Sequence, residues 1–239
     1  MKETKKFEGK NVVVTGGSKG LGKELCESFA RQGARVAFTY IGKQSSKNTK
    51  NKAFKCDLRN KKEIDSCTKA IKKLFNGKID ILVNNAGFNC LKPLDKMDYN
   101  EIDNIISGNL TGHIYFTKQL ISSIKKSKGH VVNIASKSGI SGDPTDIPYS
   151  SAKAGLIGFT KSLARYCGSK VIVTSVSPSW MKTDFIKKYR EKDVKRSLKK
   201  AVIQRIHSPK EIAEFVLFLC FQRSITGNNL VIDGGGMIQ

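Results

Sequence analysis

Short runs of β-branched and aliphatic residues alternate along this chain with longer stretches whose apolar positions recur every three or four residues. The runs at 11–15, 35–40, 53–56, 79–83, 130–135, 171–176 and 229–232 predict strands. Between them, 21–31, 61–75, 100–106, 111–123, 149–166 and 209–221 carry the helical period. Most strand runs are apolar throughout instead of alternating, which predicts a sheet covered by helices on both faces. The β–α alternation implies right-handed crossovers and an α/β fold of Rossmann type, a doubly wound parallel sheet of about seven strands. No repeat, linker or low-complexity stretch divides the chain, so 1–239 is expected to be a single domain. The highly charged stretch 184–200 breaks the pattern after the sixth strand. It is expected as a mobile helical insertion over a binding cleft, within a substrate loop at about 179–205.

At 239 residues the chain is long enough for one sizeable core. No apolar run approaches the ~18 residues of a membrane span. The N-terminal residues pass from charge directly into a strand, without the long apolar region of a signal peptide. The six cysteines are scattered without C-x-x-C or a nearby histidine cluster, so reduced thiols and no metal site are expected in a cytoplasmic protein. The formal net charge of +23 raises nucleic acid and anionic membranes as partners. Only eight of the 43 basic residues are arginine, however, and the lysines are spread along the chain without interleaved aromatics. That distribution argues against a nucleic-acid reader. The lysine excess reads first as the bias of a source proteome, and second as a match to an acidic partner or a phosphorylated substrate.

Two local patterns carry chemistry. The first strand runs into Thr15-Gly16-Gly17-Ser18-Lys19-Gly20-Leu21-Gly22, which opens a helix. Glycines are needed there because a phosphate must approach the backbone closely and lie at the helix N-terminus. Further on, Tyr149 and Lys153 stand four apart on a predicted helix and share a face. A free phenol titrates near pH ~10, and a nearby ammonium favours the phenolate, bringing the group towards the range useful for proton transfer. Ser136 precedes Tyr149 by thirteen residues and ends the fifth strand, at the carboxyl edge where open α/β sheets bind ligands.

The G-x-x-x-G-x-G spacing after Thr15 resembles the short-chain dehydrogenase/reductase family. So do Asn84-Asn85-Ala86-Gly87 after the fourth strand, Cys56-Asp57-Leu58, Asn109 in Asn109-Leu110-Thr111-Gly112, and the tail from Ile225-Thr226-Gly227 to Asp233-Gly234-Gly235. The resemblance covers residues 11 to 236. It implies a nicotinamide dinucleotide held by Gly16, Ser18, Lys19, Gly20, Leu21 and Gly22, with Tyr40 at the end of the second strand. Asp57 and Leu58 are implied at the adenine, and Asn85, Ala86 and Gly87 along the cofactor. Tyr149, Lys153, Pro178, Met181 and Thr183 are implied at its nicotinamide end. No acidic residue follows Tyr40, whereas Lys19 and Lys43 could meet a 2′-phosphate, so NADPH is expected in preference to NADH.

The resemblance also assigns roles. Ser136 hydrogen-bonds the substrate carbonyl, with Ser138 a weaker candidate for that role. Tyr149 supplies the proton as hydride arrives. Lys153 lowers the Tyr149 pKa and binds the nicotinamide ribose, and Asn109 holds a water that relays protons. A non-catalytic dinucleotide sensor would typically have lost the Tyr or the Lys. Where relatives read Pro-Gly this chain reads Pro178-Ser179-Trp180. Serine adopts unusual backbone angles less readily than glycine, so the substrate loop is expected to sit differently. Trp180 has two readings, lining the cleft or packing the loop. The branch most resembled is the 3-oxoacyl-acyl-carrier-protein reductases, through Tyr149 to Arg165. That implies reduction of a 3-oxoacyl thioester, a homotetramer joined through 109–125, 149–166 and the C-terminal strand, and carrier docking near Lys125, Lys126 and Lys170. The alternative is a free sugar, polyol or other small ketone.

Overall fold

The structure, a computed structural model, describes residues 5–42 and 51–238. Valine-rich segments sit at its centre. β1 (Asn11–Val14) is wholly buried, with Val12 and Val14 packed into one apolar layer and Val13 into the other. This two-faced burial explains why the sequence shows an unbroken apolar run.

β2 (Arg35–Tyr40) and β3 (Lys52–Lys55) extend the sheet on one side of β1. β4 (Ile81–Asn84), β5 (His130–Ile134), β6 (Ile172–Pro178) and β7 (Asn229–Ile232) extend it on the other. The order is β3-β2-β1-β4-β5-β6-β7, and every pairing is parallel. The expected Rossmann-type sheet is therefore present. β3 departs from the apolar pattern: it is the edge strand, and Lys52 and Lys55 at its ends are exposed. Charged edges of this kind resist pairing with another chain.

Helices α1 (Gly20–Arg31) and α8 (Pro209–Leu219) cover one face. Leu25 and Phe29 of the first meet Ile212 and Val216 of the second in a common core with Val12, Val14 and Val36. The opposite face carries α2 (Lys61–Leu74), α4 (Gly112–Lys126) and α6 (Ile147–Cys167), which contribute Ile64, Phe116, Leu120 and Leu163 around Val13, Leu82 and Val131. The short α3 (Tyr99–Ile106) leads into α4 through a π-helical turn at Ser107–Thr111. The helix expected from residue 111 therefore begins after that wide turn, which carries Asn109.

A buried polar chain crosses the middle of the sheet. Asn84 donates to Asn133 Oδ1 at 2.8 Å and to Thr117 Oγ1 at 2.9 Å, and Asn133 donates to Thr160 Oγ1 at 2.8 Å. It joins β4, β5, α4 and α6 just below the edge where functional loops emerge.

The segment after β6 contains a 3-10 turn, Ile186–Lys188, and then α7 (Glu191–Lys199), so a helix does follow the sixth strand. Of the α7 residues, Val194 alone is buried. Backbone bonds from Lys182 N to His207 O and from His207 N to Trp180 O, both 2.9 Å, tie the start of this segment down. Ser179 lies outside the left-handed region, where the non-glycine residues found are Asn76 and Lys128. The serine that stands where relatives carry glycine thus sits without backbone strain. Among the described residues no helix is long and apolar enough to cross a membrane.

Candidate active site

The strand order reverses between β1 and β4, where open α/β sheets form a crevice at their carboxyl edge. A cleft of about 840 Å³ lies there, towards the upper end of the roughly 300–1,000 Å³ common for small-molecule sites. Gly16, Ser18, Lys19, Gly20, Leu21 and Gly22 form one end, with Tyr40 and then Asp57 and Leu58 beside it. Asn85, Ala86 and Gly87 follow along one wall, and Pro178, Met181 and Thr183 stand on another. Ser136, Tyr149 and Lys153 meet at the far end. Lys43 falls outside the described residues.

The glycine turn is shaped by close approach. Gly16 (φ +69°) and Gly20 (φ +54°) adopt backbone angles that other residues resist. A Cβ on Gly16 would stand 2.8 Å from the Cα of Ala86, and one on Gly22 would collide with the Gly16 carbonyl oxygen. Thr15 locks the facing loop: its hydroxyl accepts from Asn85 N at 2.8 Å and from Ala86 N at 3.0 Å. Asn85 in turn donates its side-chain amide to Thr15 O at 2.9 Å. Across the gap, Thr183 Cγ2 lies 3.5 Å from where a Gly20 Cβ would stand. This bare, narrow backbone channel at the start of α1 fits the diphosphate of a dinucleotide.

Asp57, expected at the adenine, is not free. Arg59 grips it through Nη2–Oδ2 and Nε–Oδ1 contacts of 2.6 and 3.0 Å. The guanidinium holds the Asp57 carboxyl below the usual carboxylate range. Arg59 also lies over the Phe88 ring at 5.5 Å. The sequence reading passed over Arg59, although its place two residues after Asp57 was the available signal.

The reactive end brings together residues from the turn between β5 and the short α5 (Ser138–Ser141), from the π-helical turn before α4, and from α6. Tyr149 and Lys153 share one face of α6, with the ammonium 5.5 Å from the phenol ring centre. Lys153 is 2% exposed and donates to Ile134 O at 2.8 Å. Burial pulls its ammonium down to about 8. The expected lowering of Tyr149 by Lys153 is not what governs the phenol. Burial raises the Tyr149 pKa first, the charge of Asp146 adds to that, and a hydrogen bond with Ser136 opposes both. The phenol is consequently protonated at neutral pH. Ser138 donates its backbone N–H to Ser136 Oγ at 3.1 Å, so it fixes that hydroxyl and also lines the cleft.

Asn109 sits behind the wall instead of on it. Its amide donates to Phe88 O at 2.8 Å and Ile105 O at 2.9 Å, and its carbonyl accepts from Phe88 N at 3.2 Å. A Cβ on Gly87 would lie 2.7 Å from Asn109 Oδ1 and 3.5 Å from Lys153 Nζ, so the glycine gives these two groups room to be neighbours. His113, absent from the expected set, contacts Ala86 O through Nε2 at 2.8 Å. Burial, with the nearby Lys153 charge, pulls the imidazole down to about 3, so it is neutral.

Aromatic residues cap the substrate side. Phe185 lies 5.7 Å from the Tyr149 ring, and Trp180 stands edge-on to Tyr189 at 4.7 Å. Trp180 both lines the cleft and packs the loop.

A family profile described as Enoyl-(Acyl carrier protein) reductase matches residues 16–236. The 3-oxoacyl-(acyl-carrier-protein) reductase FabG of Vibrio cholerae serotype O1 is 35% identical over 239 residues, covering 96% of this chain and 98% of that protein. Its namesake from Buchnera aphidicola subsp. Schizaphis graminum is 38% identical, with the same coverage. Among solved structures, the ligand-free aldohexose dehydrogenase of Thermoplasma acidophilum superposes with a TM-score of 0.89 at 30% identity, covering 97% of this chain and 95% of that one. A SCOR enzyme from Clostridium thermocellum gives 0.86 at 29%, covering 97% and 94%. Matched over nearly its full length in sequence and in fold, the chain belongs to the short-chain dehydrogenase/reductase family of NAD(P)-dependent oxidoreductases acting on CH–OH and C=O groups.

Proposed function

We propose that this enzyme uses NADPH to reduce the 3-oxo group of an acyl thioester carried by an acyl carrier protein. One observation carries the reading: Ser136, Tyr149 and Lys153 converge at the far end of a cleft whose near end is a glycine channel shaped for a diphosphate. When bound, the nicotinamide supplies the hydride that reaches the carbonyl carbon. The Ser136 hydroxyl donates a hydrogen bond to the carbonyl oxygen, where negative charge builds. Tyr149 gives that oxygen its proton. A phenol kept protonated by burial is in the form reduction requires. Lys153 holds positive charge beside the phenolate that remains, and Asn109, next to Lys153, keeps the inner proton route polar. The proton on oxygen and the hydride on carbon together complete the alcohol.

NADPH over NADH is supported by the exposed Lys19 at the start of α1 and by the lack of an acidic residue directly after Tyr40 in the sequence. The carrier protein is supported by the names of the relatives and by the +23 charge, which suits an acidic partner. Lys126 and Lys170 are exposed, while Lys125 lies 3.9 Å from the Tyr166 ring centre. A homotetramer in the cytoplasm rests on the family resemblance alone. The aldohexose dehydrogenase among the structural neighbours favours a second reading, a free sugar as substrate.

The deciding experiment follows NADPH absorbance with acetoacetyl thioesters of carrier protein and of CoA, beside a sugar panel, at low and high salt. Salt-sensitive oxidation that prefers the carrier-bound thioester supports the proposal. Turnover of sugars alone transfers it to the second reading.

A further inference from the structure

One buried polar cluster outside the roles assigned above joins the substrate segment to the catalytic helix. Asp146, immediately before α6, is 1% exposed, and Asn89, on the loop after β4, is 4% exposed. Tyr189 reaches into them from the far side of the cleft. Its hydroxyl donates to Asp146 Oδ2 at 2.9 Å and accepts from Asn89 Nδ2 at 2.7 Å. Asn89 Nδ2 also lies 3.2 Å from that carboxylate oxygen, and Lys188 donates to Asn89 O at 3.2 Å.

The contacts reach the reacting hydroxyl by two routes. Along the chain, Asp146 precedes Tyr149 by three residues. Through space, Tyr189 supports Phe185 at 6.2 Å, and Phe185 lies 5.7 Å from Tyr149. The segment has few other anchors, since α7 buries Val194 alone. The seat itself is incompletely satisfied: Asp146 Oδ1 and Asn89 Oδ1 are buried without a hydrogen-bond partner. The seat of Tyr189 on Asp146 and Asn89 is thus a main tie between this segment and the catalytic helix, and one made of few contacts can be released.

We propose that Tyr189, seated on Asp146 and Asn89, is a latch that closes the 184–200 segment over Tyr149, making Asp146 a positioning residue for carbonyl reduction. The role in reduction rests on the function proposed above; the latch itself does not. Burial pushes the Asp146 carboxyl up to about 6, and Asp143 adds to this, while Tyr189, Asn89 and Lys188 act in the opposite direction. The other titratable neighbours are Tyr149 and Tyr189, both raised by burial and by the Asp146 charge. Opening returns the carboxyl to water, where it titrates near ~4. The closed state therefore binds the proton more tightly, and closure weakens as pH rises through about 6.

The test compares the wild type with Tyr189→Phe and Asp146→Asn, by thioester kinetics across pH and by trypsin cleavage at the lysines of 187–200. Loss of the hydroxyl is expected to raise KM about tenfold with a much smaller change in kcat, and to speed cleavage by a similar factor. In the wild type KM rises between about pH 4 and about pH 6 and levels off above that, whereas Asp146→Asn, neutral throughout, removes that rise. Tyr189→Phe with wild-type KM and wild-type cleavage overturns the latch, as does an unchanged pH profile in Asp146→Asn. Cleavage needs no turnover, so a failed carbonyl reading leaves it decisive, and Tyr189→Phe remains decisive if the Asp146 variant does not fold.

Discussion

Lys153 points its ammonium at the Ile134 carbonyl, 2.8 Å away, and not at the phenol one helical turn before it. The Tyr149 proton is therefore held by burial, with the Ser136 hydrogen bond acting in the opposite direction. Tyr149→Phe removes the transferable proton while leaving the ring in place. NADPH oxidation is expected to fall by about 10²–10⁴-fold. Cofactor affinity, read by NADPH fluorescence, should stay within a few-fold, and a variant that retains full turnover would exclude Tyr149 as the acid.

The buried ammonium has a stability signature. Its folded value of about 8 lies below the ~10.4 of a free lysine, so between those limits the unfolded chain binds more protons. The penalty is fully present below about 8 and is relieved as pH rises towards ~10.4. In thermal melts the wild type should gain on Lys153→Met across that window. Parallel pH profiles would show that the site is not desolvated.

Lys19 tests the cofactor preference. Exposed at the start of α1 and lining the cleft, it is placed to meet a 2′-phosphate. Lys19→Glu should raise KM for NADPH about tenfold or more, consistent with loss of a charge-assisted contact. KM for NADH should change little. An equal effect on both would assign the lysine to the diphosphate instead.

Gly22→Ala places a methyl group against the Gly16 carbonyl oxygen and 2.5 Å from Asn85 Nδ2. Overpacking of this kind costs about 1–3 kcal/mol. The collision moves the turn that receives the diphosphate, so both Tm and NADPH affinity should fall. A variant that melts normally and binds normally would contradict the shape of the channel.

The sequence made most of this machinery visible because the residues concerned are local or obligatory. Glycines at 16 and 22 are dictated by backbone approach and Gly20 by its positive φ, and Tyr149 and Lys153 share a face at fixed helical spacing. What stayed hidden depends on tertiary direction. Asp57 looks available until Arg59 folds back onto it, and Asn109 looks like a cleft residue until the π-helical turn sets it behind Gly87. Lys153 looks aimed at Tyr149 until β5 offers it a carbonyl. Asp146 and Tyr189, 43 residues apart, carry no spacing signal at all. β3 was legible, expected at 53–56 and found at Lys52–Lys55, although its ends are charged.

The polar chain through Asn84, Asn133, Thr117 and Thr160 acts as an alignment key for β4 and β5, the strands that lead into Asn85 and Ser136. Apolar contacts between neighbouring valines tolerate sliding, whereas a shift of β4 along β5 by one position would turn Asn84 to the opposite face and strand its partners in a dry interior. The misaligned sheet is thus penalised before any ligand arrives. The distance between the loop at Asn85 and the Ser136 hydroxyl is inherited from a match between two asparagines one and three residues before them.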